Sequence, residues 1–252
     1  MNSFADVAGI AILLVRPGML VIATPFLGAV SAPAVLRVGL TLLIALTLAP
    51  VVAVPANLSA GVLAGVLLRE VAIGLSLALA IRVLVFGAEF AGHFAGYSIG
   101  LSMGSLIDPQ TGVRNNIFAL LYGNLAVLTV LATNTHHRLL AALVDSYAAV
   151  PIGLGAVNPS LADSVARMLG LVFVIGVRIA APIIVVLLVV ELALGLAGRV
   201  APALNVMMSG APIRLAIGLL VAAATVQTIP TIVERYVPVA FTLAADTVRS
   251  FK

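Results

Sequence analysis

Residues 88–109 read AEFAGHFAGYSIGLSMGSLIDP, with a glycine at every fourth position. Positions four apart share one face of an α-helix, so these glycines form a ridge without side chains that another backbone can approach closely. The ridge consists of Gly92, Gly96, Gly100 and Gly104. It predicts either an ordinary seam between two helices or a helix at a crowded assembly axis that feeds a loop. Each glycine also lowers helix stability by about 1 kcal/mol relative to alanine, so the segment can unwind.

The composition around this ridge is that of a membrane protein. Of 252 residues, 63% are hydrophobic and 9% are charged, whereas soluble domains average about 45–50% apolar and about 25% charged residues. Too few polar side chains are present to face water, which excludes a soluble globule and a disordered chain. The 13 Lys and Arg residues are dispersed singly, so no basic stripe follows a nucleic-acid backbone.

Apolar stretches long enough to cross a bilayer follow one another along the chain. A spanning helix needs about 20 apolar residues, and helices satisfy every backbone group without water. The sequence therefore predicts an all-α, membrane-associated bundle of about six kinked apolar helices or hairpins, in a single domain over residues 1–252. The stretches lie near residues 4–27, 35–54, 60–90, 117–133, 165–198 and 211–233.

Charged residues interrupt these apolar stretches. Each costs on the order of 2.5 to 3.5 kcal/mol in lipid, so its side chain should face protein or water. Pairing within one helix does not explain them, since Arg82 and Glu89, for example, lie two turns apart. The partners should come from other helices of this chain or from other chains. The buried charges predicted at subunit contacts are Arg16, Glu70, Arg82, Glu89, Arg178, Glu191 and Arg199.

Prolines also break the apolar stretches, at Pro17, Pro50, Pro182 and Pro230. A proline removes a backbone hydrogen bond and kinks a helix. Broken helices at membrane depth are tolerated where they are buried in protein or line a cavity, which favours a pore or a transporter over a passive anchor.

A short amphipathic helix is predicted between two of the stretches. Within residues 138–149, one helical face carries Leu139, Leu140, Leu143, Val144 and Tyr147. Such a helix either lies at an interface or connects and packs on its neighbours.

The polar residues do not form a catalytic set. The chain has no cysteine, which removes disulfides, thiol catalysis and thiolate metal sites. Ser98 and Ser102 fit G-x-S-x-G, but the segment is predicted to be helical, whereas the catalytic pattern needs a strand, a turn and a helix. An intramembrane serine protease would need a histidine on a second membrane helix, and His93 lies on the same segment. We predict no enzyme, no metal and no cofactor.

Several stretches, in their order and spacing, resemble the FliR family of flagellar export-gate proteins. The similarity runs from about Arg16 to Arg214. It comprises TPFLGAVSAPAVLRVGL at 24–40, EVAIG at 70–74, the glycine ladder ending GLSMGSLIDP, LLAALVDSY at 139–147 and ELALGLAGRVAPALNV at 191–206.

The resemblance implies a structural, pore-forming subunit of the flagellar type III protein export gate. In that family the subunit joins FliP and FliQ in a helical pore assembly, with FlhB and FlhA as further partners. The assembly lies in the bacterial inner membrane at the flagellar basal body, among membrane lipid, and exports unfolded flagellar proteins. The loop after the glycine ladder is similar to the plug that closes the family's pore. It corresponds here to Met103, Gly104, Ser105, Leu106, Ile107, Asp108 and Pro109.

Two positions depart from the family's pattern, because His93 stands where an acidic residue is expected and Ser98 where a glutamine is expected. The main alternative outside the family is a polytopic solute or proton-coupled membrane transporter that uses Arg16, Glu70 and Glu191. The lack of inverted repeats with matching broken segments speaks against it.

Overall fold

The computed structural model describes residues 3–26, 33–53, 60–101, 116–153, 156, 158–200 and 206–252. Over these ranges the regular structure is α-helix without a strand, and the predicted all-α fold is confirmed. Eight helices occur in the described part of the chain: α1 (Ser3–Ala23), α2 (Ala34–Leu48), α3 (Ala60–Ile99), α4 (Ile117–Ala132), α5 (Thr135–Ala149), α6 (Ser160–Val200), α7 (Val206–Thr225) and α8 (Thr228–Arg249).

The prolines act differently from one helix to the next. α1 and α6 continue through Pro17 and Pro182. In contrast, α2 ends at Leu48 and Pro50 lies in the following turn, because proline has no N–H with which to continue the hydrogen-bond ladder. Pro230 lies in the first turn of α8, where a missing N–H costs nothing.

Within the described residues, fewer helices are long and apolar enough to cross a membrane than the sequence has apolar stretches. Two helices are long and apolar enough to cross a membrane, namely residues 62–99 within α3 and the whole of α6. Two bent pairs could add one span each: α4 with α5, bent by 70°, and residues 210–225 of α7 with α8, bent by 49°. The described helices thus give two to four spans by length and composition. α1 and α2 have shorter apolar segments.

The chain divides into two compact units that are each assembled from separate stretches. The first unit contains Met1–Val83, Val130–Leu171 and Val237–Lys252. Its buried apolar residues include Leu20, Ile73, Ile81, Leu139, Leu143, Ile152 and Met168. The second unit contains Leu84–Thr129 and Val172–Tyr236. Its buried residues include Leu84, Tyr122, Ala126, Ile175, Ile179, Ile183 and Val233.

The amphipathic helix predicted at 138–149 is present as α5 and belongs to the first unit. Leu139, Leu143 and Tyr147 are buried, as the helical period predicts. Leu140 and Val144 lie about 100° further round the helix and remain exposed. The apolar face of α5 is therefore narrower than predicted.

Candidate functional site

A buried ion pair connects α1 to α3 in the first unit. Arg16 donates hydrogen bonds from Nε and Nη2 to the two carboxylate oxygens of Glu70, and the Nη2 bond is 3.1 Å long. Both side chains have 0% of their surface exposed. Two parallel bonds between a guanidinium and a carboxylate form one of the stronger polar contacts in proteins. The pair therefore fixes α1 on α3.

The end of α5 satisfies the remaining donors of Arg16. Nη2 also donates to the Val150 carbonyl oxygen at 2.7 Å, and Nη1 donates to Ser146 Oγ at 3.2 Å. The guanidinium carbon lies 4.3 Å from the centre of the Tyr147 ring, and the Tyr147 hydroxyl donates to the Leu13 carbonyl oxygen at 3.3 Å. A cation at the carbonyl end of a helix is electrostatically favourable. Arg16 thus holds three helices together.

A glycine one turn after Glu70 allows this contact to form. A Cβ atom at Gly74 would lie 2.9 Å from the Arg16 carbonyl oxygen and 2.8 Å from Met19 Cβ. Because Glu70 and Gly74 are four residues apart, they share one face of α3. The same face therefore supplies the carboxylate and the space for the backbone of α1.

Arg16 and Glu70 were predicted as buried charges at subunit contacts, with pairing inside the chain as the open alternative. The two residues are partners of each other inside this chain, and both side chains are completely buried. Their place at a contact between subunits stays a prediction. Neither carboxylate oxygen of Glu70 lacks a donor.

The other predicted charges have different surroundings. Arg82 is half-buried, and its Nε donates to the Ala23 carbonyl oxygen at the end of α1. Glu89 is also half-buried, and its side chain fills the space beside Gly123, where a Cβ would lie 2.7 Å from Glu89 Cγ. Both residues therefore pack against helices of their own unit.

Three more predicted charges lie on exposed parts of the second unit. Glu191 accepts a hydrogen bond from Arg214 at 3.1 Å, with 53% and 38% of the two side chains exposed. Arg178 lies over the ring of Tyr236, 5.6 Å from its centre. Arg199 is exposed near the end of α6. Their exposure makes them available to a neighbouring chain, which stays a prediction.

The first half of the glycine ridge packs on α4 in the second unit. A Cβ at Gly92 would lie 2.6 Å from Ala119 Cα, and a Cβ at Gly96 would overlap the side chain of Asn116. Asn116 Nδ2 donates to the His93 carbonyl oxygen at 3.2 Å, and Asn116 Oδ1 accepts a hydrogen bond from the N–H of Phe118 at 2.9 Å. The amide of Asn116 therefore caps α4 and ties it to α3.

Gly100 departs from the predicted ridge because it ends the helix. Its φ is +94°, and a Cβ there would meet nothing within 4 Å. The Gly100 N–H donates to the Tyr97 carbonyl oxygen and the Leu101 N–H to the Gly96 carbonyl oxygen, each at 3.1 Å. These two bonds form a Schellman motif, for which glycine is the preferred residue.

The predicted plug residues Met103–Pro109 lie outside the described residues, together with Gly104 of the ridge and Ser102 of the protease alternative. Their assignment to a plug stays a prediction.

The sequence did not identify the residues that complete two contacts, namely the ion pair of Arg16 with Glu70 and the packing of α3 on α4. Asn116 lies directly before an apolar run, which is the usual position of an N-cap, and this signal was available. Ser146 and Val150 had no such signal, because their partner Arg16 is 130 and 134 residues away.

The three residues of the transporter alternative have partners within this chain. Arg16 and Glu70 pair with each other, and Glu191 pairs with Arg214. Within the described ranges, no group of three or more His, Asp or Glu side chains could hold a metal ion.

The fold and the site together define a helical membrane protein in which the buried pair of Arg16 and Glu70 connects the helices. The family described as bacterial export proteins, family 1, has a sequence model that matches residues 7–238. The chain belongs to this family. Its relatives include flagellar biosynthetic protein FliR of Caulobacter vibrioides, which is 31% identical over 94% of this chain and 97% of its own length. The resemblance to the FliR family is therefore confirmed.

Two other relatives match over a shorter region. The flagellar biosynthetic proteins FliR of Pectobacterium carotovorum and Escherichia coli are 33% and 32% identical to this chain, each over 56% of it. In both cases the match spans 54% of the relative, so the chain covers about half the length of these two proteins.

Proposed function

We propose that this chain is a structural subunit of the flagellar type III protein export gate and not an enzyme. It assembles with FliP and FliQ in the bacterial inner membrane, at the flagellar basal body, and meets FlhB and FlhA. The assembly conducts unfolded flagellar proteins, and residues 103–109 plug its closed pore. Membership of the export family and the similarity to flagellar FliR proteins support the flagellar role.

The exposed apolar face of α6 carries the proposal of an assembly. Only 33% of its most apolar 18-residue window is buried. Large apolar side chains are exposed from one end of the helix to the other, including Leu169, Phe173, Val177, Val185, Leu188, Leu192, Leu196 and Val200. A surface of this extent is typical of contact with lipid or with other chains.

The length of this face favours other chains for part of it. From Leu169 to Val200 the helix rises roughly 47 Å at 1.5 Å per residue. The hydrocarbon core of a bilayer is about 30 Å thick. If α6 crosses the bilayer without a large tilt, lipid covers only part of these apolar side chains, and FliP and FliQ cover the remainder.

Isolation of the tagged chain from flagellated cells in mild detergent tests the assembly. We expect mass spectrometry of the eluate to identify homologues of FliP and FliQ in stoichiometric amounts, absent from an eluate of untagged cells. Recovery of the chain alone, together with substrate uptake by liposomes that contain only this chain, would support the transporter alternative.

Deletion of residues 103–109 tests the plug separately. We expect the deletion variant to retain FliP and FliQ, because the packing of the described helices does not change. We expect the membrane to become permeable to ions, because the seal is lost. Potassium efflux from cells that express the complex measures the effect. A second variant replaces the seven residues with Gly and Ser at equal length, and it should leak as well. Unchanged efflux in both variants would contradict the plug assignment.

A further inference from the structure

A cavity of about 290 Å³ opens between α3, α5 and α8 in the first unit. Its apolar lining includes Leu77, Ala142, Ala149, Phe241, Ala245 and Val248. The volume is roughly that of ten water molecules at about 30 Å³ each, and it lies at the lower end of pockets that hold small ligands. Small side chains on facing helices create the space. An apolar occupant fits this lining better than water.

Two opposite charges lie at the same cavity. Asp145 of α5 and Arg249, the last residue of α8, both contribute to its lining. Asp145 is exposed, and its carboxylate has no ion pair or hydrogen bond within the described ranges. Arg249 approaches Asp246 at 3.4 Å with 70% of its side chain exposed, which makes a weak surface pair. One carboxylate and one guanidinium are thus available to a ligand with both signs of charge.

Asp145 and Arg249 lie near the ends of α5 and α8. α5 and α8 both end beside the cavity, and α6 begins nearby, since the N–H of Asn158 donates to the Ser250 carbonyl oxygen at 2.8 Å. All three helices belong to segments that are long and apolar enough to span a membrane, alone or as bent pairs. Charged residues at the ends of such segments lie at the level of lipid headgroups.

We propose that this cavity binds a phospholipid with an ethanolamine headgroup. Part of one acyl chain occupies the apolar interior, the phosphate faces Arg249 and the ammonium faces Asp145. A headgroup with net negative charge would meet the carboxylates of Asp145 and Asp246, and a choline headgroup has no N–H to donate to a carboxylate. The site depends on the membrane location of the chain and not on its role in export.

Native mass spectrometry of the full chain in detergent, titrated with dioleoyl phosphatidylethanolamine, tests the site. We expect one lipid to be retained per chain, and phosphatidylcholine or phosphatidylglycerol of equal chain length to bind about fivefold more weakly, as the loss of one headgroup contact predicts. Asp145→Asn should remove the preference over phosphatidylcholine. Equal retention of the three lipids by the unaltered chain would overturn the assignment of the headgroup.

A matched pair of substitutions on α5 tests the cavity itself. Ala142→Leu fills the cavity and should reduce retention roughly tenfold, because the apolar contact area of the acyl chain is lost. Ala141→Leu changes the neighbouring exposed residue, which does not line the cavity, and should leave retention unchanged. Equal retention by both variants would show that the lipid binds elsewhere.

Cysteine labelling keeps the test valid if Ala142→Leu does not fold. The chain has no cysteine, so Ala149→Cys introduces one thiol at the cavity and Ala148→Cys one at an exposed control position. Added phosphatidylethanolamine should slow the reaction of a small thiosulfonate reagent with residue 149 at least fivefold and leave residue 148 unaffected. Absence of protection, or protection only when FliP and FliQ are present, would point to a protein occupant and contradict the proposal.

Discussion

The Glu70→Ala variant is expected to lose about 3–5 kcal/mol of folding stability, the usual result of removing one partner from a buried ion pair. The substitution leaves the guanidinium of Arg16 without its carboxylate where neither side chain has exposed surface. For a chain of 252 residues this loss lowers the thermal midpoint by roughly 6–20 °C. Circular dichroism of the purified chain in detergent, with the amount of chain in isolated membranes, measures it.

Glu191→Ala is the matched control for Glu70→Ala. It removes a carboxylate from a pair that is 53% and 38% exposed, and such pairs contribute at most about 1 kcal/mol. The double variant Arg16→Met with Glu70→Leu should recover most of the loss, because no unpaired charge remains. The recovery should be incomplete, since the Val150 carbonyl oxygen loses its donor. Equal midpoints for Glu70→Ala and Glu191→Ala would contradict a structural role for the buried pair.

The Gly92→Ala variant should lose about 1–3 kcal/mol through overpacking. The added Cβ would lie 2.6 Å from Ala119 Cα, and a backbone atom cannot move aside as a flexible side chain can. α4 must therefore shift away from α3, which also disturbs the amide of Asn116. The thermal midpoint of the isolated chain measures the effect.

Gly170→Ala in α6 provides the same chemical change in open space. A Cβ there would meet nothing within 4 Å, so the gain in helix propensity should raise stability by about 0.5–1 kcal/mol. The two variants should thus shift the midpoint in opposite directions. If Gly92→Ala instead leaves the isolated chain unchanged and reduces recovery of FliP and FliQ, the ridge serves a contact between subunits.

Local patterns predicted most of the described helices and the charged residues that are costly in lipid. Hydropathy located α1 to α4, α6 and α7, but it did not locate α8, which extends to Arg249, beyond the last apolar stretch. The interruption of apolar runs identified Arg16 and Glu70 as residues that need partners. Their pairing was not predictable, because it joins positions 54 residues apart and no local pattern encodes such a distance. Fewer candidate spans than apolar stretches are present in the described residues, because the apolar segments of α1 and α2 are short and two pairs of helices are bent by 70° and 49°. Hydropathy shows neither a bend nor the point at which a helix breaks.

The glycine ladder also shows what a local sequence pattern can and cannot predict. Its spacing predicted the face on which Gly92 and Gly96 lie, which meets α4. The same spacing did not distinguish Gly100, which ends α3 with a positive φ. Glycine both permits close packing and favours helix ends, so only the backbone conformation separates the two uses.

The contacts of Arg16 also set an order of events during synthesis. Ribosomes add about 5–20 residues per second, so Glu70 is added about 3–10 s after Arg16. Val150 lies 134 residues after Arg16 and is added later still. Until then the guanidinium has neither its carboxylate nor the end of α5. The contacts of α1, the first of the three helices to leave the ribosome, therefore cannot be complete before the end of α5 has been made, and a chain truncated before residue 150 cannot complete them.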